Sequence, residues 1–285
     1  MGSSAADLRA RIRTGPPLIA PGAANALTAK VIQDCGFEAV YVTGAGVANT
    51  YLGVPDIGLV TLTEMAAHVA AIRQAVDLPL VVDADTGFGN PIGTQRTVQV
   101  LERAGADAIQ LEDQQFPKRC GHFEGKSVVP LADMVAKVRA ACDARRGETL
   151  IVARTDAVAT EGFGAAVERA GAYAEAGADM TFVEGPTTAE QLTSLPNLLP
   201  VPQVANLVEG GKTPLLPVDQ LAGFGLVIMA NIALQAAVHG MQQVLGKVRT
   251  SGSIDGLGSM IAGWDERQRL VGKSHFDQLE ERYRS

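Results

Sequence analysis

The sequence has few cysteines and no cysteine framework. Its three cysteines, Cys35, Cys120 and Cys142, are odd in number and follow no regular spacing. A disulfide scaffold needs paired cysteines, and a structural zinc site needs four Cys or His ligands at short spacings. Neither class of protein is supported by this pattern.

Positive charge is not in excess either. Lys and Arg number 24 against 31 Asp and Glu, which gives a net charge of −7. Phosphate backbones and anionic lipids are bound by broad basic surfaces. Nucleic acid and membranes are therefore not expected partners.

Long apolar runs and targeting signals are also missing. The chain has no run of about twenty apolar residues, which a membrane-spanning helix requires. Residues 1–7 show no basic segment followed by an apolar one, so no signal peptide is predicted. We expect a cytoplasmic protein whose 285 residues, 47% of them hydrophobic, can bury a sizeable core.

Short apolar runs rich in Val and Ile recur along the whole chain, each followed by a longer stretch with helical spacing. Two of these stretches end in Ala-Gly-Ala-Asp, where Gly105 and Gly177 supply the left-handed residue that ends a helix. The runs are continuous rather than alternating, as expected for a sheet covered by helices. Eight strands predict an α/β fold, a (β/α)8 TIM-type barrel forming a single domain over residues 1–285. The predicted strands are 18–20, 39–43, 80–85, 108–112, 150–154, 180–184, 203–206 and 226–229.

Two connections, over residues 43–63 and 113–131, are longer than the others. Long βα loops in a barrel lie on its catalytic face, so functional residues are expected there. Past the eighth strand, a helical stretch and a Gly/Ser break at 250–253 precede a charged tail. Residues from about 250 to 285 are predicted to form a helical arm that packs on another subunit.

Polar residues stand at the carboxyl end of nearly every predicted strand. In a barrel these positions converge on one mouth although they are far apart in sequence. They form a dense carboxylate cluster with one cation and one amide. The set is Tyr41, Thr43, Gly44, Asp83, Asp85, Glu112, Asp113, Arg154, Asp156, Glu184 and Asn206.

Three of these acids suggest a metal site. Asp83 and Asp85 alternate with an alanine, and both reach the mouth if the strand ends and twists there. With Glu112 they offer the oxygen ligands that Mg²⁺ prefers. The alternative is that such acids cap helices or form surface ion pairs, which is the simpler explanation for a single Asp.

The glycine-rich segment 86–93 resembles a dinucleotide-binding turn only in part. Its third glycine, Gly93, is one residue late for the G-x-G-x-x-G pattern. We therefore predict no dinucleotide site, and expect Gly87 and Gly89 to let the backbone approach a metal-bound anion.

A basic loop carries the candidate thiol. Cys120 is flanked by Lys118, Arg119 and His122, and nearby cations lower the pKa of a thiol. Cys120 is therefore a candidate acid, base or nucleophile; the alternative is an exposed basic loop with an incidental cysteine. Zinc binding by Cys120 and His122 is not expected, because two further ligands are missing nearby.

Three motifs carry a family resemblance: residues 83–90 (DADTGFGN), LED at 111–113 followed by KRCGH at 118–122, and 206–214 (NLVEGGKTP). On these motifs the sequence resembles the isocitrate lyase / phosphoenolpyruvate mutase superfamily over essentially the whole chain, and the cysteine loop is typical of the lyase branch. The resemblance implies Mg²⁺, or Mn²⁺, as cofactor. It also implies a homotetramer, a dimer of dimers with the last helix swapped between neighbouring subunits.

The resemblance also implies roles for individual residues. It places Mg²⁺ on Asp83 and Asp85, with Asp56 and Glu112 supporting the metal through water. Cys120 becomes the general acid/base. The other catalytic positions are Tyr41, Glu112, Lys118, Arg119 and His122, and the substrate-binding positions are Thr43, Gly44, Ala45, Gly121, Arg154, Glu184 and Asn206.

The implied reaction is Mg²⁺-dependent cleavage of a carbon–carbon bond in a 2-hydroxy dicarboxylate, giving a 2-oxo acid and a carboxylate. Methylisocitrate lyases use late arginines for their extra carboxylate, where this chain has Leu234, Gln235 and Gly263, and its Phe123–Lys126 segment also departs from theirs. A substituted malate such as 2,3-dimethylmalate, or hydrated oxaloacetate, is the favoured substrate. Alternatives are a 2-methylisocitrate lyase giving pyruvate and succinate, a phosphonopyruvate-type mutase or hydrolase, and a ligand-binding barrel without catalysis.

Overall fold

Eight parallel strands close into a barrel in the computed structural model, which describes residues 5–119 and 125–284. Each strand pairs with the next along the chain, and the eighth returns to pair with the first. The predicted (β/α)8 barrel is thereby confirmed. The strands are β1 (Leu18–Ala23), β2 (Val40–Val42), β3 (Leu80–Asp83), β4 (Ala108–Glu112), β5 (Leu150–Thr155), β6 (Met180–Val183), β7 (Gln203–Asn206) and β8 (Phe224–Met229).

Both faces of the strands are buried, which explains their continuous apolar sequences. In β5, Leu150 and Val152 pack inside the barrel, whereas Ile151 and Ala153 pack outward with side chains of the helices. Successive strand residues point to opposite faces, so a sheet with two buried faces needs an apolar residue at almost every position. Leu8 belongs to the interior cluster, so the first helix closes the amino-terminal end of the barrel.

Helices cover the outside of the barrel, and local signals set their ends. α4 begins with a capping box between Thr61 and Glu64. Gly105 and Gly177 have φ values of 104° and 108°, which confirms the predicted left-handed helix endings. The helices are α1 (Ala5–Arg11), α2 (Ala26–Asp34), α3 (Gly44–Val47), α4 (Leu62–Ala75), α5 (Pro91–Ala104), α6 (Leu131–Ala144), α7 (Phe163–Glu175), α8 (Ala189–Leu198), α9 (Ile232–Ser251), α10 (Trp264–Leu270) and α11 (Lys273–Tyr283).

The predicted C-terminal helical arm is present as α10 and α11. Neither of these helices buries a side chain, and Arg269 joins α10 to the barrel through a two-pronged ion pair with Asp34. Large apolar side chains of the arm are exposed, among them Trp264 and Phe276. Within the described part of the chain, no helix combines the length and the hydrophobicity needed to cross a membrane.

Candidate active site

A small polar cleft opens at the carboxyl ends of the strands. Carboxylates, cations and amides share its lining with a phenol and a few small side chains. The lining residues are Tyr41, Thr43, Ala45, Asp56, Asp83, Glu112, Lys118, Arg119, Arg154, Glu184, Asn206, Ala230 and Asn231.

Asp83 and Asp85 lie together at the end of β3, against the start of α3. The Gly44 N–H donates to Asp83 Oδ2 at 3.3 Å, and the Asp85 N–H donates to Asp83 Oδ1 at 3.1 Å. Asp85 has a φ of 48°, a left-handed conformation that a short polar residue tolerates. A Cβ on Gly44 would lie 3.0 Å from Asp83 Oδ2 and 3.2 Å from Asp85 Oδ1. Glycine therefore lets the backbone come close to both carboxylates.

Lys118 reaches into this carboxylate group from the long loop after β4. Its ammonium lies 2.7 Å from Asp85 Oδ1 and also binds Asp56. Burial opposes the charge of Lys118, but the carboxylates of Asp85, Glu112 and Asp56 hold its pKa well above the usual value. The sequence suggested that Lys118 would stabilise the thiolate of Cys120, which lies outside the described residues; among the described residues its ammonium contacts the carboxylates of Asp85 and Asp56.

Arg154, at the end of β5, forms a second charged group. Its guanidinium donates two hydrogen bonds to Asp156, at 2.9 and 3.0 Å. It also lies 3.5 Å from Glu112 and 3.4 Å from Glu184, and the Asn206 amide donates to Glu184 at 3.3 Å. Burial opposes the charge of Arg154, yet these carboxylates hold its pKa well above the usual value.

Several carboxylates in or beside the cleft are poorly stabilised in their charged form. Glu112 Oε1 and Glu184 Oε1 are buried and accept no hydrogen bond within the described residues. Burial raises the pKa of Asp85 to about 7, and repulsion from Asp83 and Asp56 adds to this against the attraction of Lys118. Burial also raises the pKa of Glu112 well above its usual value. A divalent cation would stabilise the charged forms of these groups, so the cleft suits one.

Within residues 5–119 and 125–284, no three His, Cys, Asp or Glu side chains converge tightly enough to hold an ion by themselves. Mg²⁺ commonly binds through one or two carboxylates and retains several waters. Asp83 and Asp85 could supply those carboxylates, and Asp56 and Glu112 line the same cleft as Asp83.

Tyr41 and Thr43 follow one another along the wall beside this pair. Burial, together with the nearby charge of Asp83, raises the pKa of Tyr41 well above its usual value, so its phenol stays protonated and can donate a hydrogen bond. The Thr43 hydroxyl accepts a hydrogen bond from the Gly46 N–H at 3.2 Å and thereby caps α3. That bond does not use the hydroxyl hydrogen, which can be donated to a ligand.

The structure brings most of the sequence-predicted site residues into this one cleft. Gly44 and Asp85 adjoin it through Asp83. Cys120, Gly121 and His122 lie outside the described residues. Those that line the cleft directly are Tyr41, Thr43, Ala45, Asp56, Asp83, Glu112, Lys118, Arg119, Arg154, Glu184 and Asn206.

Asp113, one of the polar strand-end residues, does not face the mouth. It is fully buried and accepts hydrogen bonds from the Thr155 hydroxyl at 2.6 Å, the Asp156 N–H at 2.9 Å and the Tyr173 hydroxyl at 2.8 Å. Arg169 pairs with it at 3.4 Å. Asp113 therefore braces the loop after β5 against α7.

Sequence reasoning missed two contributors. Asn231 lines the cleft from the loop after β8, and its Oδ1 is buried without a hydrogen-bond partner in the described chain. As a polar residue just past a strand end, it could have been included in the same search. Lys126 forms an ion pair with Asp156 at 2.7 Å, and no local signal in the sequence indicates this contact.

The barrel and its mouth define a (β/α)8 protein whose candidate active site gathers carboxylates around a buried arginine. The profile of the family "phosphoenolpyruvate phosphomutase" matches residues 8–249. The chain belongs to this family and thus to the phosphoenolpyruvate mutase / isocitrate lyase superfamily, and its relatives place it among the carbon–carbon lyases.

Two relatives show the extent of the similarity. The chain is 40% identical over 284 residues to 2,3-dimethylmalate lyase of Eubacterium barkeri, covering 99% of this chain and 98% of that protein. It is 45% identical over 248 residues to 2-methylisocitrate lyase of Aeropyrum pernix, covering 86% and 80%.

Two solved structures match the fold along nearly the whole chain. Oxaloacetate acetylhydrolase in complex with the inhibitor 3,3-difluorooxalacetate superposes with a TM-score of 0.92 at 31% identity, covering 97% of this chain and 96% of that one. Phosphonopyruvate hydrolase in complex with oxalate and Mg²⁺ gives a TM-score of 0.89 at 30% identity, covering 99% of each chain.

Proposed function

We propose that this lyase is Mg²⁺-dependent and cleaves a C4-type 2-hydroxy dicarboxylate, a substituted malate such as 2,3-dimethylmalate or hydrated oxaloacetate. The observation that carries the proposal is the cleft in which Asp83, hydrogen-bonded to the neighbouring Asp85, shares the lining with the buried Arg154. Similarity to 2,3-dimethylmalate lyase over 99% of the chain supports the choice of substrate.

Arg154 and Tyr41 have the chemistry to hold the substrate. A guanidinium binds a carboxylate with directed hydrogen bonds, and a protonated phenol donates to an oxygen. Mg²⁺ held by Asp83 and Asp85 would supply positive charge beside the C2 oxygen of the substrate. Mn²⁺ has similar ligand preferences and is the second candidate.

Bond cleavage then requires two proton movements. A base takes the hydroxyl proton, the C2–C3 bond breaks, and the C2 oxygen becomes the carbonyl oxygen of the 2-oxo acid, or a carboxyl oxygen of oxalate when the substrate is hydrated oxaloacetate. The electron pair of that bond goes to C3, which takes a proton from a general acid. We assign that acid to Cys120, with Arg119 and His122 supporting it and Gly121 beside it.

The proposal is tested with a substrate panel of 2,3-dimethylmalate, 2-methylisocitrate, isocitrate, oxaloacetate and phosphonopyruvate, with pyruvate, glyoxylate and oxalate measured as products. We expect turnover of a substituted malate or of oxaloacetate that is abolished by EDTA and by Cys120→Ser. Turnover that survives either treatment contradicts the mechanism. Phosphonopyruvate turnover that survives Cys120→Ser would indicate a mutase or hydrolase, and binding without any product would indicate a ligand-binding barrel.

A second candidate is 2-methylisocitrate lyase, which the 45% identity to the Aeropyrum pernix enzyme favours. A tricarboxylate substrate needs a further cationic partner, because an unpaired buried carboxylate is costly. Leu234 and Gln235 line a separate cleft with Asn49 and Val238, and neither carries a charge. The panel decides between the two: preferred turnover of 2-methylisocitrate to pyruvate and succinate would overturn the assignment to a C4 substrate.

We also propose a homotetramer built from dimers that swap their C-terminal helices. Exposed apolar side chains on α9 to α11 support this, among them Met241 at 55%, Leu245 at 64% and Trp264 at 70% exposed, because such surfaces usually meet a partner. Light scattering of the full chain would test the assembly. A cytoplasmic location stays a prediction.

A further inference from the structure

A buried lysine and a buried aspartate stand behind Arg154. The side chain of Lys126 is 3% exposed and that of Asp156 is fully buried, and neither lines the cleft that Arg154 lines. We propose that Lys126, acting through Asp156, is a positioning residue that keeps the Arg154 guanidinium oriented, and its positive charge available, for a carboxylate of the substrate. This inference rests on the proposed function.

Asp156 sets the orientation of the guanidinium. Its Oδ2 accepts from Arg154 Nε at 2.9 Å and its Oδ1 accepts from Arg154 Nη2 at 3.0 Å. Two parallel hydrogen bonds fix the plane of a guanidinium. They leave Nη1 directed toward Glu184, at 3.4 Å, on the side of the cleft.

Lys126 offsets the negative charge that Asp156 places beside the Arg154 guanidinium. Asp156 by itself would cancel the charge of Arg154, so the pair would attract an anion weakly. The Lys126 ammonium lies 2.7 Å from Asp156 Oδ1, the same oxygen that binds Arg154 Nη2. The three groups together then hold two positive charges against one negative charge.

The surroundings make this offset important. Glu112 and Glu184 already lie within 3.5 Å and 3.4 Å of the Arg154 guanidinium. Without Lys126, the negative charge of Asp156 would be added to those of Glu112 and Glu184 beside the binding position of an anionic substrate. Buried charges repel one another strongly because water does not screen them. Attraction to Arg154 and Lys126 outweighs burial and lowers the pKa of Asp156, so its carboxylate is ionised.

The test measures binding of oxalate, used as a small dicarboxylate probe, to the Mg²⁺-loaded protein by calorimetry. Lys126→Met removes the charge, and Lys126→Gln keeps a donor without the charge, so a folding defect in one variant does not remove the test. Lys126→Arg restores the charge. Arg145→Met is the matched control, because it removes a cation paired with a buried aspartate, Asp179, near the amino-terminal end of the barrel.

We expect Lys126→Met and Lys126→Gln to weaken oxalate binding by about tenfold to a hundredfold, the size of a lost charged interaction. Mg²⁺ affinity measured without oxalate should stay unchanged. Lys126→Arg should recover most of the oxalate affinity, and Arg145→Met should keep it. With the substrate found by the panel, KM should rise more than kcat falls, because Lys126 acts on binding.

Two results would overturn the inference: unchanged oxalate affinity in both charge-removing variants, or no recovery in Lys126→Arg. A loss of oxalate affinity in Arg145→Met equal to that in Lys126→Met would overturn it as well, since the effect would then be general. Absence of oxalate binding to the wild-type protein is a different outcome. It would contradict the proposed function itself, and the inference with it.

Discussion

The closeness of Gly44 to two carboxylates makes Gly44→Ala a direct test of the metal site. An alanine Cβ would lie 3.0 Å from Asp83 Oδ2 and 3.2 Å from Asp85 Oδ1, where ordinary contact begins at 3.4 Å. The two oxygens would therefore have to move by 0.4 Å and 0.2 Å. Asp83 cannot retreat freely, since its Oδ1 accepts from the Asp85 N–H at 3.1 Å and from Gln110 at 3.4 Å.

Such a shift matters more for metal binding than for folding. Mg²⁺ requires near-octahedral ligands at about 2.0 to 2.1 Å, and changes that disturb the orientation of ligands typically cost about tenfold to a hundredfold in affinity. We expect Gly44→Ala to lower Mg²⁺ affinity by this amount. The added alanine methyl group overpacks a buried site. The free energy of unfolding should therefore fall by only about 1 kcal/mol.

Calorimetric titration with Mg²⁺ and urea unfolding measure the two effects separately. Gly171→Ala is the matched control: it lies within α7, where an added Cβ would meet no neighbouring side chain or strand within 4 Å. It should leave Mg²⁺ affinity unchanged and raise stability by up to about 1 kcal/mol through helix propensity. If Gly44→Ala binds Mg²⁺ as tightly as the wild-type protein, Asp83 and Asp85 are not the ligands.

Three further predictions concern residues away from the metal site. Asp113→Ala should lower the free energy of unfolding by about 3 kcal/mol or more, because it leaves several buried partners unpaired; a loss below about 1 kcal/mol in urea unfolding would contradict this role. Burial raises the pKa of the Cys142 thiol to about 11, so at pH 8 iodoacetamide should label Cys142 far more slowly than the exposed Cys35, as measured by peptide mass spectrometry; equal rates would refute this. Gly105 and Gly36 both have positive φ, but of the two only Gly105 would place a Cβ against another side chain, at 2.5 Å. Gly105→Ala should therefore lower the stability more than Gly36→Ala. Equal losses in thermal unfolding would show that conformational strain alone decides the cost.

Much of the site could be predicted because the order of the strands in a barrel determines which residues lie close together. Once eight strands are assigned, residues at their carboxyl ends meet at one mouth wherever they stand in the sequence. Tyr41, Asp83, Arg154 and Asn206 were found in this way, and all four line the cleft. Asn231 was missed although the same rule applies to it.

Which side of a strand end a residue faces was harder to predict. Glu112 and Asp113 are neighbours in sequence, yet Glu112 lines the cleft and Asp113 braces the loop after β5. Adjacent strand residues point to opposite faces, so only one of the two can reach the mouth. Choosing between them requires knowing which face of the strand lies inside the barrel.

The sequence by itself determined the barrel, its helix endings and the carboxylate-rich mouth, because these follow from apolar periodicity, glycine caps and strand order, which are local properties. Only the tertiary structure decided that Lys118 joins Asp85 and Asp56, and that Lys126 joins Asp156 behind Arg154. Both lysines stand on a long loop, where no periodicity sets the direction of a side chain. Their partners are buried carboxylates from other strands and loops. Each contact forms because the ammonium of the lysine stabilises the charge of a buried carboxylate.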